Sequence, residues 1–150
     1  IERIGGMDCK KRSADLHRFL YVCEPIIEEN YKHSSDKRAF HFDEHDALKF
    51  FLKNISLLSN KIGEVCIRPH PLENPEKYFW VRDETQIKIK IGNEEDLFDE
   101  IIASDFVVGC ETTAMIIGLL AGKRVICSIP PGCRPCRLPQ NKIFSLSNLV

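Results

Sequence analysis

His70 stands between Pro69 and Pro71 in "CIRPHPLENP", directly after an apolar run that reads as a buried strand. A proline holds its own φ at about −65° and restricts the residue before it to extended conformations, so the main chain is fixed on both sides of one imidazole. An imidazole N–H aimed in this way can donate to a phosphate oxygen. Arg68, two residues earlier in an extended run, falls on the same face and would add positive charge. A histidine simply held in a proline turn is the structural alternative.

A second group of polar residues occurs in "GCETTAMIIGLLAG". Ala114 to Ala121 contains no polar side chain, so this helix is expected to be buried nearly all round, with Glu111, Thr112 and Thr113 confined to its first turn. A helix N-terminus offers unpaired backbone N–H groups and partial positive charge, and Gly109 would let a ligand approach the main chain with no Cβ in the way. Threonine hydroxyls add donors for phosphate. A carboxylate beside a phosphate repels it, so Glu111 suits ribose or sugar hydroxyls better than the anion. The alternative is that Thr112 or Glu111 only caps the helix.

Cys133 and Cys136 have CxxC spacing in "GCRPCR". A zinc site needs about four ligands, and neither a second CxxC nor paired histidines accompany them. A thioredoxin-like motif opens a helix, which Pro135 and Pro139 disfavour. They read as two loop thiols, with no metal and no cofactor. Neither GxGxxG nor GxxxxGK occurs, so a hydride-transfer Rossmann domain and a P-loop enzyme are both unsupported.

The elements that must position these residues alternate along the chain. "RFLYVCEP" is a buried strand ending at Pro25, and the loop "NYKHSSDKR" follows. Asp43, Glu44 and Asp46 then start an amphipathic helix whose apolar stripe runs through Leu48, Phe51, Leu52, Ile55, Leu58 and Ile62 to Gly63. "EVCIRPHP" is a second strand, "NPEKYFWVRDE" a short helix, and "QIKIKIG" a third strand with one more solvated face. "NEEDLFDEIIAS" is a helix capped by Asn93, "DFVVGC" a fourth strand, "ETTAMIIGLLAG" a helix and "KRVICSIPPG" a fifth strand. This order predicts an α/β fold, a Rossmann-like doubly wound parallel sheet. In such sheets the ligand crevice lies beyond the carboxyl ends of the strands. Glu24, His70, Gly92 to Asn93, Gly109 to Thr113 and Ser128 to Gly132 all fall there.

The chain has 150 residues, 43% hydrophobic and 29% charged, as befits one domain with a substantial core. Its formal net charge of −1 supplies no basic field for nucleic acid. The longest apolar run, "AMIIGLLAG", is shorter than the roughly 20 residues a bilayer helix needs. Seven cysteines are an odd number, and Cys23, Cys66, Cys110 and Cys127 lie in or beside apolar runs, which fits free thiols and a cytoplasmic setting. The start at Ile1 and the finish in the apolar pattern "SLSNLV" suggest a piece of a longer chain.

"IRPHPLE", followed about forty residues later by "ASDFVVGCETTAMIIGLLAGKRVICSIP", resembles the C-terminal, donor-binding half of GT-B glycosyltransferases of bacterial surface-carbohydrate synthesis. The likeness is greatest to sialyl- and polysialyltransferases and to CDP-glycerol glycerophosphotransferases, and it runs from about Leu20 to Pro131. In those relatives an HP motif and a Ser/Thr-rich turn hold the phosphate of a CMP- or CDP-linked donor. His70 with Pro71 matches the first, and Thr112 with Thr113 the second. Glu111 stands where many relatives carry small or hydroxyl residues.

The resemblance implies one nucleotide-sugar-binding domain, half of a GT-B architecture, that takes a CMP-, CDP- or UDP-linked sugar through Arg68, His70, Gly109, Glu111, Thr112 and Thr113. Its implied partners are the nucleotide-activated sugar, a glycan acceptor and an N-terminal domain of the same protein that supplies the acceptor site and general base. The whole protein would then be a glycosyltransferase in peripheral association with a membrane. These 150 residues alone would fold and bind nucleotide weakly without transferring. A sugar-nucleotide epimerase of the same architecture and a non-catalytic Rossmann-like binding module remain open.

Overall fold

A computed structural model of the chain describes residues 15–27, 42–138 and 142–150. The opening residues, the "NYKHSSDKR" loop and Pro139 lie outside the described residues. The order of elements is β1 (His17–Val22), α1 (Glu44–Asn54), β2 (Ile62–Arg68), a 3-10 helix (Pro75–Asp83), β3 (Ile89–Ile91), α2 (Leu97–Ala103), β4 (Phe106–Gly109), α3 (Thr113–Leu120), β5 (Arg124–Cys127), β6 (Phe144–Ser145) and a last 3-10 turn (Leu146–Leu149).

All strand pairs are parallel, and the sheet runs β3-β2-β1-β4-β5-β6. The fold is therefore the doubly wound α/β arrangement that the alternation predicts, with its topological switch point between β1 and β4. Period-two alternation divides the strands between two apolar layers. Phe19, Tyr21, Val65, Ile67 and Val108 face α1 and the 75–83 helix, whereas Leu20, Val22, Cys66 and Val107 face α2 and α3.

Several local expectations change. The stripe that predicts a helix from Asp43 to Ile62 breaks at Asn54, whose side-chain amide donates to the Phe50 carbonyl, 2.9 Å away. Ile55–Leu57 tighten into a 3-10 turn, and Ile62 opens β2 opposite His17. The helix start is as read: Asp43 and Asp46 form a reciprocal capping box. The second helix is capped by Asp96, which accepts from the Asp99 amide, so Asn93 lies outside it. Asn93 instead donates to the Pro69 carbonyl. A sixth strand, Phe144–Ser145, adds to the five expected.

The all-apolar helix α3 is not buried all round. Ala114, Met115 and Gly118 face the sheet, but Leu120 is 84% exposed. The contact with the sheet is close: a Cβ on Gly118 would stand 3.0 Å from Val107 Cγ2 and 3.2 Å from Val125 Cγ2. Among the described residues no helix is long and apolar enough to cross a membrane.

Candidate functional site

Because every strand is parallel, the residues following β1, β2, β4 and β5 emerge along one edge. At the switch point the Glu24 carboxylate accepts the backbone N–H of Glu111 at 2.6 Å. Burial raises the Glu24 pKa, and the Glu111 N–H only partly offsets it. An internal acid thus occupies one of the amides just before α3. Thr112 is the N-cap, its hydroxyl oxygen 3.4 Å from the Ala114 amide, while Thr113 begins the helix with its side chain exposed.

The His70 turn follows β2. Its backbone closes with Glu73 N–H on the His70 carbonyl at 2.8 Å, around Pro71 at the second turn position. The Leu72 N–H donates to His70 Nδ1 at 3.1 Å. A backbone amide can only donate, so Nδ1 is the acceptor and Nε2 carries the proton of the neutral ring. The imidazole therefore offers an N–H donor on the side away from its own turn. His70 and Thr112 follow strands that flank β1, two strand spacings or about 10 Å apart.

Arg68 does not join them. Its Nη1 donates to Glu100 Oε1 at 2.6 Å and to the Glu95 carbonyl at 2.7 Å, with both charged side chains largely buried, so the guanidinium ties β2 to α2. The space at Gly109 is likewise taken by the chain itself. A Cβ there would meet Thr112 Cγ2 at 3.0 Å and Met115 Sδ and the Val22 carbonyl at 3.3 Å, so this glycine lets α3 start close against β4.

No family model matches this chain, and no curated protein does. A solved structure does. It is that of Thermosulfurimonas dismutans KpsC, a beta Kdo 2,4 transferase, superposed over 87% of this chain and 38% of that one with a TM-score of 0.50 and 16% identity. The likeness is one of fold, and the chain spans well under half of that protein's length.

The remaining groups at this edge are Arg134 and Arg137 of the 130–138 loop, which local spacing does not place beside α3. Glu111 accepts from the Arg137 amide at 2.5 Å, from Arg137 Nη2 at 3.2 Å and from Arg134 Nη1 at 2.7 Å. Burial works to raise the Glu111 pKa, but the hydrogen bonds from Arg137 and Arg134 outweigh it and hold the carboxyl below its usual range. Glu111 thereby fastens the 130–138 loop beside the start of α3. The sequence signal for this contact is the pair of arginines in "GCRPCR".

That loop also roofs a cavity of about 280 Å³ beyond β5 and β6, lined by Cys127, Arg134, Cys136, Ser145, Ser147 and Asn148 among others. Cys133 and Cys136 pack partly buried against the α2 and α3 layer. Burial pushes the Cys127 thiol up to about 12 and raises Cys23 and Cys110 well above the ordinary thiol range, so all three are protonated hydrophobes at neutral pH. Among the described residues no cluster of three or more metal-ligating side chains occurs.

Proposed function

We propose that this domain binds the phosphate-bearing part of a nucleotide-activated sugar, CMP-, CDP- or UDP-linked, for glycosyl transfer in surface polysaccharide synthesis. The observation that carries the reading is the His70 ring, whose Nδ1 is taken by the Leu72 amide, which leaves Nε2–H as the donor of a turn that follows β2. A neutral N–H donor on a rigid turn is suited to a phosphate oxygen. The exposed Thr113 hydroxyl and the N-terminus of α3 complete the anion site across β1. Arg134 and Arg137 supply positive charge beside it, and Glu111 is the group for ribose or sugar hydroxyls. The shared fold with a Kdo transferase supports the same reading. In this proposal the transfer step needs a second domain that brings the acceptor and the base.

The test is calorimetry of the chain with CMP, CDP and UDP, beside His70→Ala. Losing one charge-assisted hydrogen bond costs about 1.5 to 3 kcal/mol, or roughly tenfold to a hundredfold in affinity. Equal binding by parent and variant, or no binding of any of the three nucleotides by the parent, refutes the reading.

A further inference from the structure

A buried carboxylate three residues away is bonded to the His70 main chain. Glu73 is 8% exposed, and both of its oxygens are engaged. Oε1 accepts the backbone N–H of His70 at 2.9 Å. Oε2 accepts from Tyr78 Oη at 2.8 Å and from Lys77 Nζ at 2.5 Å. Lys77 also pairs with Glu44 at the start of α1, whose other oxygen accepts the Ile27 amide at 3.0 Å.

Each partner keeps the next in its working form. Burial works to lower the Lys77 pKa, but Glu44 and Glu73 outweigh it and hold the ammonium above its usual range. Burial, Cys23 and Glu73 raise the Tyr78 pKa, so its hydroxyl stays a donor. A carboxylate with two such donors on one oxygen has little freedom to rotate, and its other oxygen is then a fixed acceptor for a main-chain N–H. Within this cluster Glu73 is the member bonded to the His70 turn, while Glu44 lies on the far side of Lys77.

We propose that Glu73 is a positioning residue for His70. Its carboxylate, held by Lys77 and Tyr78, passes the rigidity of those two bonds to the turn and so holds Nδ1 on the Leu72 amide and Nε2–H toward the ligand edge. The chemistry is that of a donor fixed by a carboxylate: Glu73 acts by removing alternative orientations and the alternative tautomer of the imidazole. The ligand-binding consequence rests on the function proposed above, but the orientation of the ring does not.

The experiment uses the whole chain, labelled with ¹⁵N, and reads the His70 tautomer from long-range imidazole correlations and the His70 amide from hydrogen exchange. The parent is expected to show the Nε2–H tautomer. Glu73→Gln, which keeps the shape and loses the charge, is expected to give mixed tautomers and at least tenfold faster exchange at His70. Glu44→Gln, which removes a carboxylate from the same lysine without touching the turn, should leave both readouts at parent values. If Glu73→Gln does not fold, Tyr78→Phe removes one of the donors on Oε2 and should move both readouts in the same direction.

In the binding arm, Glu73→Gln is expected to weaken CMP, CDP or UDP about tenfold, with no added loss on top of His70→Ala. An unchanged tautomer and exchange rate at His70 in the Glu73 variant, or an equal disturbance by Glu44→Gln, overturns the proposal. A parent that binds no nucleotide overturns the functional reading instead, and the tautomer arm still decides the role of Glu73.

Discussion

Replacing Arg68 by methionine tests whether this arginine is a tie within the fold or a ligand group. Its guanidinium lies 2.6 Å from the Glu100 carboxylate, and the two side chains are 14% and 5% exposed. Methionine retains much of the apolar stem but leaves a buried carboxylate without this ion-pair partner. Breaking a buried pair from one side costs about 3 to 5 kcal/mol, whereas an exposed pair is worth about 1 kcal/mol or less. For a chain of this length each kcal/mol moves Tm by about 2 to 4 °C, so Arg68→Met should melt roughly 6 to 20 °C below the parent. Glu100→Met on the same chain removes the stranded charge, and the double variant should return to within about 1 kcal/mol of the parent or exceed it. Urea unfolding followed by the fluorescence of Trp80, the one tryptophan, measures both. A loss below about 1 kcal/mol in the single variant, or no recovery in the double, refutes the buried-pair argument. A tenfold loss of nucleotide affinity in the stable double variant would return Arg68 to the ligand.

Two further outcomes follow from burial and close packing. Glu24 has a folded pKa raised above its ordinary value of 4.5, so its stabilising contribution is fully present below about that pH and is lost as pH rises through the folded value. Glu24→Gln should therefore gain stability relative to the parent as pH goes from about 4 to 7, and a gap between them that stays constant across urea titrations at several pH values contradicts the assignment. Gly118→Ala should destabilise, because overpacking against Val107 and Val125 costs about 1 to 3 kcal/mol against a helix gain of about 0.5 to 1 kcal/mol. A higher urea midpoint for the alanine variant would show that the sheet can yield at that point.

The fold was legible because it depends on runs of side chains. "FLYV", "VCI" and "FVVG" are runs without a polar side chain, which only a sheet covered on both faces requires, and the helices between them leave parallel pairing as the simplest connection. Boundaries were less legible, since Leu58 and Ile62 continue a helical spacing that the Asn54 amide has already ended. At the site, the two prolines gave the rigidity of the His70 turn, and the order of strands placed it on the same edge as Thr112 and Thr113. What the sequence could not give was partner choice between charged residues far apart in the chain. Arg68 reads as a neighbour of His70, yet Glu100 lies 32 residues on and takes it. Glu24 and Glu111 are 87 residues apart and meet across the switch point. Spacing says which face a side chain leaves from, and the competition for it is decided by elements the local pattern does not contain.

The ion pairs of Glu111 with Arg134 and Arg137 have a consequence for any anion that arrives at this edge. A carboxylate fastened to the same chain is a competitor that never dilutes: its effective concentration beside those guanidiniums is set by the fold, not by the solution. Free phosphate or acetate offers the arginines little more than Glu111 already does. On the proposed function, a ligand would prevail by bringing contacts elsewhere, to the His70 ring or the α3 N-terminus, that an ion alone cannot make. On the proposed function, the internal salt bridge would set a threshold that favours a ligand with several contacts over a simple anion.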